Sequence, residues 1–285
     1  MRLVSYQAET RRSYGAVVGD RVFDLPSLGL PEDINVALEA VDFTDLTIPS
    51  SAVSRSLSEL ELLPAVPSPR HIWAVGLNYE SHRLEVGAPI SEYPTLFNRY
   101  ASSLTAHNAA ILRPRVTTQL DYEGELAVII GRRGRYLTEA AAADCIFGYS
   151  CFNDASARDW QLRTSQFAPG KSFPATGAFG PFIVSKDEIP SLEACTIETR
   201  VNGTAVQRAG LGELLFPVEA LVAYISNFCE LLPGDTIITG TPGGVALKRT
   251  PPNWLLDGDR VEVEISGIGV LANVVRDEPA AQQAA

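Results

Sequence analysis

Leu120-Asp121-Tyr122-Glu123-Gly124-Glu125-Leu126-Ala127-Val128-Ile129-Ile130-Gly131 begins acidic and ends apolar. Its β-branched second half, closed by Gly131 and Gly134, reads as a strand entering a sheet core. Side chains alternate along a strand, so Glu123 and Glu125 share a face, roughly 7 Å apart. Two carboxylates held side by side repel one another, and a cation between them relieves the repulsion. An isolated Glu-x-Glu is ordinarily a solvated strand edge. Here the acids run straight into a segment patterned for burial, which makes a divalent metal site an equal alternative.

Outward from this stretch the chain is rich in short strands. Residues 1–64 read as a small N-terminal β-rich domain, with strand, Gly19-Asp20 turn and strand across Tyr14–Leu25. A helix is expected near Ile34–Ala40. Pro64, Pro67 and Pro69 mark a linker, and residues 65–278 form the main domain. Within it Ile72–Gly76 reads as a buried strand, and Asn78–Val86 as a short helix ended by Gly87 and Pro89. Residues 137–145 predict a helix with Thr138 as N-cap. Pro217 opens a third, with Val218, Leu221, Val222, Ile225 and Phe228 on one apolar face. The other apolar runs are short and β-branched: Phe182–Val184, Thr196–Val201, Thr236–Thr239, Val261–Ile265 and Val270–Val275. Many short strands with few helices predict a mainly β or α+β core rather than regular βαβ repeats. Residues 279–285 read as a disordered tail.

Composition narrows the functional classes. With 46% hydrophobic residues in 285, the chain supports a sizeable core. A net charge of −11, with no basic run beyond Arg132, Arg133 and Arg135, argues against nucleic acid as a partner. No stretch approaches the ~20 apolar residues of a membrane span, and the N-terminus lacks a signal-peptide pattern. Cys145, Cys151, Cys195 and Cys229 show no CxxC spacing. They read as reduced core thiols of a cytoplasmic protein.

Asp154 lies in Phe152-Asn153-Asp154-Ala155-Ser156-Ala157-Arg158-Asp159. By itself it reads as a turn or cap former. With Glu123 and Glu125 it completes a three-carboxylate, all-oxygen site suited to Mg²⁺ or Mn²⁺. Zinc is disfavoured because no His/Cys cluster accompanies the acids. His82 and Glu85, three apart on the expected helix, share a face, so the carboxylate can orient the imidazole and raise its basicity. Such a pair could take a proton from water, or could be a plain surface pair. His71 and His107 have no comparable partner and read as structural. Gly170-Lys171-Ser172 fails as a phosphate loop because Ser165 stands where a glycine is needed. The loop Thr239–Val245 offers hydroxyls and free backbone N–H groups, suited to a carboxylate or to nothing beyond a Gly/Pro turn. There is no Gly-x-Ser-x-Gly elbow.

Six segments in order resemble the fumarylacetoacetate hydrolase superfamily. They are Gly76-Leu77-Asn78-Tyr79 with His82-x-x-Glu85, Tyr122–Leu126, Asn153-Asp154 with Ser156–Asp159, Gly170–Phe173, Val201–Gly203, and Gly240–Pro242. The resemblance runs from about Leu63 to Val275. It implies an incompletely closed β-barrel-like fold with a small N-terminal domain, assembled as a homodimer. It also implies Glu123, Glu125 and Asp154 as Mg²⁺ or Mn²⁺ ligands, and a small anionic 2-oxo acid, often an acylpyruvate, as substrate. His82 and Glu85 would activate water, Lys171 would stabilise negative charge, and Thr241 would hold the substrate carboxylate. Tyr79, Arg158 and Gln161 would line the site. This sequence departs from common members at Arg99, where a lysine is frequent, and at Pro174, where an acid is. Both fall where substrate selection is expected, so Arg99 joins the substrate-binding candidates. The reaction implied is metal-dependent hydrolysis of a carbon–carbon bond in a 2,4-diketo acid, giving pyruvate and a carboxylic acid. Oxaloacetate decarboxylation and 2-oxo acid hydration or isomerisation share the same enolate chemistry and stand as alternatives. The His-x-x-Glu pair favours hydrolysis. A non-catalytic metal- or ligand-binding module is the alternative of a different class.

Overall fold

In a computed structural model describing residues 1–280, the strand Gly124–Ile130 is buried along its whole length. The expected tail lies, from residue 281 on, outside the described residues. This strand occupies an interior position of a 12-stranded mixed sheet. Ile146–Asp154 pairs antiparallel with it on one side, Gly124 opposite Asn153, and Thr236–Ile238 pairs on the other. Its uninterrupted apolar run follows from burial on both faces. Leu126, Val128 and Ile130 enter one core, whereas Ala127 and Ile129 enter a second.

The sheet stays open, with Ser54–Ser56 at one edge and Thr95–Asn98 at the other, so the molecule is a sheet-rich α+β structure without a closed barrel. The N-terminal strands extend the same sheet: Arg2–Ala8 pairs with Gly177–Ser185, Arg2 opposite Val184. The expected hairpin spans Arg11–Val18 and Arg21–Asp24. Helices lie at Ile34–Ala40, Glu80–Val86 and Glu139–Cys145, the last capped by the Thr138 hydroxyl. The helix after Pro217 spans Val218–Ser226. It stops short of Phe228, which is half exposed and packs edge-on against Trp73 rather than continuing the helical face. No helix among the described residues is long and apolar enough to cross a membrane, and all four cysteines are free.

A second, five-stranded sheet includes Thr196–Val201 and Arg260–Ile265. It meets the first at the glycine between the two acids. A methyl group added at Gly124 would sit 2.1 Å from Thr199 Oγ1 and 3.3 Å from Val263 Cγ1. Gly124→Ala is therefore expected to cost about 1–3 kcal/mol by overpacking. The urea midpoint should fall with an unchanged slope. An unaltered midpoint would mean that the two sheets do not press together there.

Candidate active site

Register places the acids. The Asp154 backbone N–H donates to Glu123 O at 2.8 Å, so these residues face each other across the ladder. Glu125 lies one pleat further along the same face. One carboxylate oxygen from each of Glu123, Glu125 and Asp154 lies within 4.8 Å of the others, and all three residues are buried.

Three buried cations surround them. Arg158 Nε donates to Asp121 Oδ2 at 2.8 Å, and its Nη2 lies 2.7 Å from Glu123 Oε1. Lys171, at the end of the short helix Ala168–Lys171, contacts Glu123 and donates to Asp154 Oδ2 at 2.6 Å. Arg99 contacts the other oxygen of Asp154. Burial would raise the Glu123 carboxyl, but Arg158 and Lys171 outweigh it and hold the group below the usual carboxylate range. Burial opposes the charge of Lys171 as well, and Asp154 and Glu123 reverse that and raise it.

Glu125 is different. Among the described residues its carboxylate accepts a hydrogen bond from the Gly240 backbone N–H alone, at 2.7 Å, and no side-chain cation bonds to it. Burial, then the charges of Asp154 and Glu123, push its carboxyl well above the usual range. A buried, all-oxygen donor set with one acid lacking a cationic partner fits a hard divalent ion such as Mg²⁺ or Mn²⁺.

His82 and Glu85 share a face of the helix Glu80–Val86, as their spacing requires. His82 Nδ1 lies 2.7 Å from Glu85 Oε1, and Gly244 N–H donates to Glu85 Oε2 at 2.9 Å. Burial opposes ionisation of Glu85, yet the bonds from His82 and Gly244 hold its carboxyl below the usual range. An ionised Glu85 takes the Nδ1 proton as acceptor, which leaves the Nε2 lone pair of His82 for chemistry.

A cavity of about 280 Å³ joins these groups, lined by His82, Glu123, Glu125, Arg158, Lys171 and Thr241. It falls just below the ~300–1,000 Å³ range of ligand sites. Its other wall is apolar, built from Leu77, Val86, Phe97, Leu162, Phe167 and Leu247. Gln161 also faces the cavity and accepts from Arg158 Nη1 at 2.8 Å. The Thr241 hydroxyl is already engaged: it donates to Gly124 O at 2.9 Å and accepts from Gln207 Nε2 at 2.8 Å.

Two of the expected substrate-binding residues stand off the cavity wall. Tyr79 is 1% exposed in the main core, and its hydroxyl has no partner among the described residues. Arg99 lies behind Asp154, where it donates to Ser103 at 3.0 Å and to Thr176 at 2.5 Å.

Two residues without a sequence-based role complete the framework. Asp121 Oδ1 accepts from Tyr122 N and from Ala246 N at 2.7 Å, and its Oδ2 accepts from Leu247 N and Arg158. It thereby ties the acidic strand to the turn that carries Leu247. Gln207 accepts from Gly124 N at 3.0 Å and donates to Pro242 O at 2.8 Å, joining the acids to the Gly240–Pro242 loop. Asp121 shares the alternation of Glu123 and Glu125, which is a usable signal. Gln207 sits in a plain strand and offers none.

Residues 71–276 match the family model described as fumarylacetoacetate (FAA) hydrolase C-terminal. Over 287 residues, 96% of this chain and 90% of the relative, the sequence is 36% identical to "Oxaloacetate tautomerase fahd2, mitochondrial" of Xenopus laevis. A fumarylacetoacetate hydrolase from psychrophilic Exiguobacterium antarcticum superposes with a TM-score of 0.88 at 34% identity, over 98% of this chain and 100% of that one. Maleylpyruvate hydrolase from Sphingobium sp. SYK-6, in complex with manganese(II) ion and pyruvate, gives 0.82 at 26% identity, again over 98% and 100% of the two chains.

Proposed function

The chain belongs to the fumarylacetoacetate hydrolase family, and from that premise we propose that it interconverts the enol and keto forms of oxaloacetate. The observation that carries this reading is His82, oriented by Glu85, on the same small cavity as Glu123 and Glu125, two of the three clustered buried carboxylates. Glu123, Glu125 and Asp154 would hold Mg²⁺ or Mn²⁺, which when bound supplies Lewis-acid polarisation of the 2-oxo oxygen. His82 Nε2 would carry the proton between the enol hydroxyl and C3, with no atom gained or lost. Glu85 would stabilise the imidazolium formed in between. Lys171 would add positive charge at the cavity floor, where low dielectric strengthens it. The tautomerase relative, aligned along nearly the whole chain, supports this substrate.

The apolar wall favours a second reading, hydrolysis of an acylpyruvate whose acyl group packs against Phe97, Leu162 and Phe167. The likeness to maleylpyruvate hydrolase supports it. There the dyad would deprotonate water for attack on the C4 carbonyl.

One assay separates the two. Loss of enol absorbance from oxaloacetate would be followed with Mg²⁺ or Mn²⁺, beside pyruvate release from oxaloacetate and from a small acylpyruvate panel. Accelerated enol loss without pyruvate is the expected result. Pyruvate from the acylpyruvates would move the protein to the hydrolase reading, and pyruvate from oxaloacetate to decarboxylation. No turnover with either ion would sink all three.

A further inference from the structure

Arg99 is built into the fold as few arginines are. It is 2% exposed and sits at the end of the strand Thr95–Asn98, which it follows directly. Its Nε donates to Ser103, its Nη2 to Thr176 at 2.5 Å, and its Nη1 contacts Asp154 Oδ1. The slot is shaped for it: a methyl group added at Gly177 would lie 2.6 Å from Arg99 Nε. Gly177 is also the residue that pairs with Asp154 across the sheet. The guanidinium therefore occupies space that a side chain opposite Asp154 would fill.

A planar guanidinium, unlike an ammonium, presents donors in a fixed fork. With Ser103 and Thr176 holding two of its nitrogens, the third can approach Asp154 from one direction only. Lys171 takes Asp154 Oδ2 from the other side. The carboxylate plane is thus clamped between two cations, both fully enclosed.

We propose that Arg99 is a positioning residue for the metal centre: it fixes the Asp154 carboxylate in the orientation from which it binds a divalent ion. The inference rests on the metal-site reading above. Two effects compete. Removing Arg99 would free Asp154 to rotate, which weakens ion binding. It would also remove a positive charge close to the ion, which tightens it. Partners that orient ligating groups typically change metal affinity by about 10–100-fold when replaced, and the clamped geometry makes orientation the larger effect here.

The test is calorimetric titration of metal-stripped protein with Mn²⁺, so that turnover plays no part. Arg99→Met should weaken binding by about 10–100-fold, and Arg99→Lys, which keeps the charge but loses the fork, should fall between. Thr176→Val, which removes one anchor of the fork and keeps the guanidinium, should weaken binding less than Arg99→Met does. Circular dichroism melting would confirm that each variant is folded. Unchanged or tighter Mn²⁺ binding in folded Arg99→Met overturns the proposal. If Arg99→Met does not fold, Arg99→Lys decides, since wild-type affinity in that variant would rule the fork out. A wild-type protein that binds no Mn²⁺ would remove the metal site and this inference together. One that binds Mn²⁺ but leaves oxaloacetate untouched would fail only as a tautomerase.

Discussion

Replacing His82 with alanine is expected to lower kcat by about 10²–10⁴-fold with KM little changed, the range that general acid–base catalysis contributes. Among the described residues His82 makes one side-chain hydrogen bond, to Glu85, and Glu85 keeps its bond from Gly244 without it. The loss should therefore appear in the proton-transfer step and hardly at all in the melting temperature. Glu85→Gln should give a smaller loss in the same direction, because an amide can still accept from Nδ1 but stabilises an imidazolium poorly. The readout is the rate of enol loss from oxaloacetate. A His82→Ala enzyme within threefold of wild type would show that some other group moves the proton.

Arg158→Met is expected to cost about 3–5 kcal/mol of stability, the usual consequence of taking one partner from a buried ion pair. Asp121 and Glu123 lie two residues apart on one face, both buried, and Arg158 spans them. Methionine fills comparable space but leaves their charges opposed. The deficit should depend on pH. Arg158 and Lys171 hold the wild-type Glu123 carboxyl low, so its contribution is fully present above the unfolded value of about 4.3. It is lost as pH falls through the depressed folded value. Wild type and variant should accordingly converge as the medium is acidified below about pH 4. Urea denaturation at neutral and acidic pH checks both statements, and a gap that widens in acid would refute the assignment of charge.

What could be read from the sequence was what local periodicity encodes. Alternation put Glu123 and Glu125 on one face, and the i, i+3 spacing put His82 beside Glu85. Thr138 and Pro217 marked helix starts for chemical reasons that act within a few residues. Phe228 misled because its spacing continues the apolar stripe while the chain leaves the helix at Ser226. Tyr79 sits in a motif beside Asn78, yet its side chain goes to the core. Arg99 and Gln207 act on Asp154, Thr241 and Gly124, 34 to 83 residues away in the chain, and no local pattern records such contacts. The resemblance supplied the order of the segments. It did not supply the direction of Arg99, which register and a close-packed glycine decide.

The strand bearing Glu125 is gripped by a separate core on each face, whereas most of the apolar side of the cavity, Phe97 aside, comes from short helices and turns. Changes of substrate over evolutionary time should therefore accumulate at Leu77, Leu162, Phe167 and Leu247, where a new side chain disturbs few neighbours. The acids cannot be re-aimed without repacking both cores at once. Such a molecule can drift in what it acts upon while the chemistry it performs stays fixed.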